Sequence, residues 1–298
     1  MRFIITVCIA LVSFNCFTQQ ISDSTFSPIV KKPEYAPGKG PIITLDEAHF
    51  NFHTLGGRYK AFGDLLTKDG YQLVAGKQSF TEASLKKTKI LAIANALAEN
   101  DEWKLPTRSA FTDEEVTAVK QWVEAGGRLL LIADHMPCAG AAATLASAFG
   151  FTFYNGYAMK RGIELFYRAN GTMHATSITN GRSANERIDT IRIFTGQGFK
   201  VPQGGTAFTT LDSTYTILLP EVAGEFSETT ERIPGEGLAH GAYLKFGKGR
   251  VVMIGEAAMF SAQLAGPQHN KMGMNHPTAK NNPQLLLNII HWLDGGME

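Results

Sequence analysis

Short apolar runs alternate with stretches in which apolar residues recur every three or four positions. Residues 42–45 are wholly apolar apart from Thr44 and end in Asp46, the pattern of a buried strand. Tyr59, Phe62, Leu65 and Leu66 then follow helical spacing up to Gly70. Residues 71–74 and 90–97 predict two more strands. The second is apolar on both faces, as a parallel strand covered by helices must be. Thr112 and Glu115 form a capping box ahead of a stripe of Val116, Val119, Trp122 and Val123, which Gly126-Gly127 ends. Residues 129–133 predict a fourth strand, 134–137 a turn, and 139–149 a helix of small residues. Repeated strand–helix alternation implies right-handed crossovers and a mostly parallel sheet, so the fold class is α/β.

The pattern changes after residue 150. Residues 151–240 are β-branched and rich in Gly and Thr, with turn pairs at Asn170-Gly171 and Asn180-Gly181, and predict a β-rich insertion or extension of the sheet. Within it, the polar stretch 221–237 reads as a flexible loop. Residues 243–246 and 251–254 predict a hairpin around the turn at 247–250, with Glu256 just beyond. Residues 268–282, carrying His269, Asn275 and His276, have the composition of a lid-like loop. Asn282 reads as the cap of a last helix with Pro283 in its first turn and a buried face of Leu285, Leu286, Ile289, Ile290 and Leu293.

The ends modify this picture. Arg2 followed by the apolar run 3–12 has the form of a signal peptide, too short to span a bilayer, with cleavage near residues 17–20. We therefore expect a signal peptide over 1–19, a surface linker over 20–40 and one domain over 41–296, exported to the periplasm or the cell exterior. Lipidation at Cys16 fits less well, because Ser13-Phe14-Asn15 lacks the small residues such processing prefers. No later run reaches membrane-spanning length. Cys8 and Cys16 fall in the removable segment, so the mature chain keeps only Cys138 and has no internal disulfide. With 28 Lys plus Arg against 27 Asp plus Glu, the chain has no overall attraction for nucleic acid.

In an open parallel sheet, ligands bind where strand carboxyl ends meet helix N-termini. Three such ends are polar here: Asp46, Glu47 and His49, with His53 four residues on; Asp134 and His135; and Glu256. If the strands are neighbours, these groups converge on one site. Asp46, His49 and Glu256 could hold a divalent metal ion; His135 and Glu256 could exchange protons with Asp134 as orienter; His53, Asn275 and His276 could touch the ligand. The structural alternative is that Asp46, Asp134 and Glu256 only cap the segments after them. Cys138, near a helix N-terminus, could be a nucleophile, but a lone exported thiol oxidises, and a buried packing role suits it better.

Residues 42–149, together with Gly247-Lys248-Gly249-Arg250 leading to Glu256 and the motif Asn288-Ile289-Ile290-His291-Trp292-Leu293, resemble the class I glutamine-amidotransferase-like superfamily, and within it exported proteins of the DUF4350-type group. The resemblance implies a flavodoxin-like three-layer sandwich. Amidotransferases place a Cys in a Gly-x-Cys-x-Gly elbow directly after a strand. Here that turn reads Ala133-Asp134-His135-Met136-Pro137, so glutamine hydrolysis is not expected. The expectation is a pocket-bearing protein with hydrolase-like chemistry on a small polar or carbohydrate-derived ligand. The alternative is a non-catalytic ligand-binding or assembly module, with a protein partner and an apolar patch from Phe151, Phe153, Tyr154 and Tyr157.

Overall fold

The computed structural model describes residues 20–99 and 103–298, so the leader predicted over 1–19, with Cys8 and Cys16, lies outside the described residues. The central sheet contains β1 (Ile42–Asp46), β2 (Gln72–Gly76), β3 (Ile90–Ala94), β4 (Arg128–Ile132), β5 (Ala239–Phe246) and β6 (Gly249–Ile254). They lie in the order β2-β1-β3-β4-β6-β5, parallel throughout except for β5, which runs antiparallel to β6. The order 2-1-3-4 is the flavodoxin-like one, with its topological switch between β1 and β3. Phe199–Lys200 and Thr206–Thr210 both pair with β5, and Thr152–Phe153 closes that side, so the β-rich region extends the sheet as expected.

Helices α1 (Lys60–Lys68), α2 (Asp113–Glu124), α3 (Cys138–Ser147) and α4 (Asn282–Asp294) form the outer layers. Alternation along the strands divides the core between the two faces. Ile43, Leu45, Ala92, Leu130, Val252 and Ile254 face Phe62 and Leu65 of α1 and Leu286 and Ile290 of α4. Leu91, Ile93, Leu129, Leu131, Val251 and Met253 face Val119 and Val123 of α2 and Leu145 of α3. The capping box of α2 forms as the sequence predicts: Glu115 N–H donates to Thr112 Oγ1 (3.2 Å) and Thr112 N–H to Glu115 Oε2 (3.0 Å). The hairpin turn between β5 and β6 needs its two glycines for different reasons. Gly247 has φ +57°, whereas a Cβ on Gly249 would lie 2.0 Å from the Val123 carbonyl oxygen.

Several expectations are corrected by packing that leaves little trace in hydropathy. Residues 20–40 are no loose linker: Gln20–Ser22 pairs antiparallel with Ala262–Ala265, and Phe26, Val30 and Tyr35 pack on the core. The acidic stretch 221–237 contains a strand, Glu231–Pro234, paired with Thr216–Leu219, which in turn pairs with Tyr157–Met159. The segment 268–282 includes Asn270–Gly273, hairpinned to Ala262–Ala265, and so is a paired strand followed by turns. Phe151, Phe153 and Tyr157 are at most 8% exposed, so the apolar patch proposed there is core.

Asn282 does not cap α4. Its side chain accepts from Arg192 N–H (3.0 Å) and donates to the carbonyls of Arg192 (2.7 Å) and Met259 (3.1 Å), stitching α4 to the β-rich region. Replacing Asn282 by Ala leaves these buried groups unpaired. A loss of about 2 kcal/mol is expected, readable as a lowered urea midpoint.

Candidate functional site at the strand ends

The carboxyl ends of β1, β3, β4 and β6 present Asp46, Asn95, Asp134 and Glu256 in that order. The structure does not bring Asp46 and Glu256 together. Their strands are three places apart, roughly 14 Å at the usual inter-strand spacing. Strand alternation also turns them to opposite faces: Asp46 to the α2 side, Glu256 to the side of α1 and α4.

Asp46 and His49 form a closed structural unit instead. His49 Nδ1 lies 2.9 and 3.0 Å from the two Asp46 oxygens, and His49 Nε2 lies 2.8 Å from Glu115 Oε1. The ring is wedged between Phe80 and Phe111, with centroids 4.6 and 5.0 Å away. Burial disfavours the imidazolium, but Asp46 and then Glu115 outweigh it, and the His49 pKa is raised. Both ring nitrogens are thereby spent, and the metal set Asp46, His49 and Glu256 is corrected on this geometry. Among the described residues no group of three or more His, Cys, Asp or Glu side chains is arranged to hold a metal ion. Glu115 Oε1 also accepts from Phe80 N–H (3.1 Å), so Glu115→Ala strips one helix cap and two further buried bonds. A loss of about 3 kcal/mol in urea unfolding is expected, with Glu115→Gln losing less.

Asp134 and His135 sit together beyond β4. Asp134 N–H donates to Asn95 Oδ1 (2.9 Å), and Asn95 itself takes φ +48°, which a short polar side chain tolerates. Asp134 Oδ1 accepts from His135 N–H (2.8 Å) and Oδ2 from Ala257 N–H (3.3 Å), which ties the β4 and β6 ends together. His135 Nδ1 lies 2.8 Å from the Met136 carbonyl oxygen, so Nδ1 must carry the proton. Nε2 is left with its lone pair, 3.8 Å from Asp134 Oδ1. The imidazole stacks on Tyr157 at 4.2 Å, Tyr157 O–H donates to the same Met136 carbonyl (3.1 Å), and Phe226 meets Tyr157 edge-on at 5.1 Å. With its side chain 34% exposed, His135 is the accessible one among Asp46, His49, His53, Asp134, His135 and Glu256.

Glu256 is sealed. One oxygen accepts from Met259 N–H (2.9 Å), so it caps the short turn Ala258–Phe260, while the other has no partner. Burial, with Asp134 and Glu164 nearby, raises its pKa well above the usual carboxylate range, so Glu256 is held protonated. Over it runs a strained segment in which Thr195 and Gly196 have φ +96° and +95°. A Cβ on Gly196 would lie 2.8 Å from Glu256 Cβ and 3.0 Å from His240 Nε2, so the two sealed side chains flank that glycine.

The remaining candidates divide. His53 is 4% exposed with both ring nitrogens unpartnered, 4.6 Å from the Tyr59 ring. Burial, then the Arg58 cation, depresses its pKa to about 3. Asn275 is structural, donating to Asp23 Oδ2 and the Gln263 carbonyl (both 3.0 Å). His276 bonds Thr278 and meets Phe194 at 5.6 Å. Burial, then Asp134, raises the Cys138 thiol pKa far above its ordinary value, so Cys138 is a packed side chain and not a thiolate. A groove of about 1070 Å³ lies elsewhere, between the Glu82–Leu85 turn and the outer side of α2, and none of the predicted residues lines it. Sequence reasoning misses Glu115, Tyr157, Asn95 and Arg58 as site residues. The capping box could have pointed to Glu115, because it fixes that carboxylate at the same edge of the sheet.

No family model and no curated protein matches the chain. Among solved structures it is similar to the mmIFT52 N-terminal domain, with a TM-score of 0.59 and 15% identity over 85% of this chain and 98% of that one. A ThuA-like protein from Bacteroides uniformis ATCC 8492 gives 0.48 and 12% identity over 90% and 94% of the two chains. A ThuA-like protein from Parabacteroides merdae ATCC 43184 gives 0.44 and 11% over 87% and 91%. At these identities the likeness concerns fold alone, and it agrees with a mostly parallel α/β sheet.

Proposed function

We propose that this chain is an exported protein of the amidotransferase-like superfamily, DUF4350-type, that binds a small polar or carbohydrate-derived ligand beside His135 and acts on it by hydrolase-like proton transfer. The observation that carries the reading is the state of His135. Its Nδ1–H is committed to the Met136 carbonyl, its ring is held flat on Tyr157, and its Nε2 keeps a lone pair, with the side chain 34% exposed and Asp134 3.8 Å away. Nε2 is thus the general base, and Asp134 lies beside it. Phe226, 43% exposed and edge-on to the buried Tyr157, supplies apolar surface beside His135 on which part of a sugar-like ring can lie. Glu256, sealed and protonated, supports the end of β6 and is not the acid.

The second reading, binding without turnover, is favoured by two observations: Asp134 spends both oxygens on backbone N–H groups, and Cys138 is a packed thiol. A panel of glycosides and esters, with binding measured in parallel on the purified chain, separates the two. Turnover by the wild type that His135→Gln removes supports the first. Binding without turnover in the wild type supports the second. Neither binding nor turnover sinks both.

A further inference from the structure

Arg58 follows the loop that crosses the switch point between β1 and β3. This loop is pinned to the β3 end by Phe52 N–H to the Asn95 carbonyl (3.1 Å) and by Leu97 N–H to the His49 carbonyl (2.8 Å). The Arg58 guanidinium lies over the Phe52 ring, 4.6 Å from its centroid, and Trp103 braces that ring edge-on at 5.7 Å. Among the described residues Arg58 makes no ion pair and no hydrogen bond, although it is half-buried, and its nitrogens are not among the sealed polar atoms. A half-buried cation whose donors have no partner among the described residues, fixed by stacking, is a receptor for oxyanions.

Phe52, on which the guanidinium lies, packs against Cys138 and Ala141 of α3, so the cation stands at the N-terminal turn of that helix, whose unpaired N–H groups favour an anion, next to the strand end that bears His135. His53, five residues before Arg58 along the chain, is buried with two ring nitrogens that have no partner among the described residues. We propose that Arg58 anchors an anionic oxygen group, a carboxylate or a phosphate, on the ligand whose neutral part lies against Phe226 and His135. This deepens the reading of the β4 end as the ligand site and rests on it.

The test is titration calorimetry on the full chain with inorganic phosphate, glucuronate and glucose, at two salt concentrations, for the wild type, Arg58→Gln, Arg58→Lys and His135→Gln. The expected result is that one of the two anions binds more tightly than glucose, and which one it is identifies the anionic group. Arg58→Gln should weaken that anion on the order of 10- to 100-fold, with Arg58→Lys intermediate. Circular dichroism and the thermal midpoint confirm that the variants fold. Anion binding unchanged in folded Arg58→Gln, or no anion binding by the wild type, overturns the anchor. His135-dependent turnover with an Arg58-independent anion leaves the acid–base reading standing without it. Arg58-dependent anion binding with no His135 effect on turnover leaves the anchor standing alone.

Discussion

Between pH 7 and pH 5 the folded chain is expected to lose about 4 kcal/mol of stability through two buried histidines alone. His53 and His240 are 4% and 1% exposed, and burial depresses their pKa values to about 3 and about 4. In the unfolded chain both titrate near 6.5. The unfolded state therefore takes up protons below that value while the folded state does not, and stability falls as pH falls. At pH 5 each histidine contributes about 2 kcal/mol to the loss, which continues until the folded-state values are reached. Glu256 acts in the opposite sense. Its folded pKa is raised, so its contribution is fully present below the ordinary carboxylate value and is lost as pH rises toward the folded one. Urea unfolding at pH 7 and pH 5 for wild type, His53→Gln, His240→Gln and the double variant isolates the histidines. The double variant should lose about 4 kcal/mol less than wild type over that interval. Equal losses would show that the two rings are solvated.

Substituting His135 by Gln should lower turnover about 100- to 10,000-fold on a substrate the wild type processes, with KM changed only a few-fold. Gln can keep a donor near the Met136 carbonyl and some stacking area on Tyr157, but it has no group that accepts and returns a proton. The effect should therefore fall on kcat. A matching rise in KM with kcat unchanged would make His135 a binding residue, in line with the second reading. Cys138→Ala is the control: the thiol is protonated and packed, and its loss should leave turnover where it was.

The architecture was legible because it rests on local patterns. Residues 90–94 are apolar at every position, which only a strand covered on both sides tolerates, and Thr112 with Glu115 spells a helix start in four residues. The site was legible only in part. The rule that function gathers at strand ends locates His135 and Asp134, but it is blind to strand order. With β3 and β4 between β1 and β6, Asp46 and Glu256 cannot share a ligand, and nothing in the chain order says so. Partner choice is equally hidden: His49 looked like a ligand, yet its fate was decided by Glu115, sixty-six residues away. Asn282 stands beside a proline in a cap-like setting, and only the approach of Arg192 and Met259 shows that its amide is used elsewhere.

The pairing of Gln20–Ser22 with Ala262–Ala265 limits where the proposed leader could be cut. A leader cut anywhere upstream of Gln20 leaves that outer strand whole, and with it the buried Asp23, which holds Asn275 in place. A protease that trimmed beyond Ser22 would strip one strand from a three-stranded sheet and free the turn that follows Gly273. If such a leader is removed, the fold itself sets the limit for the new terminus, at Gln20.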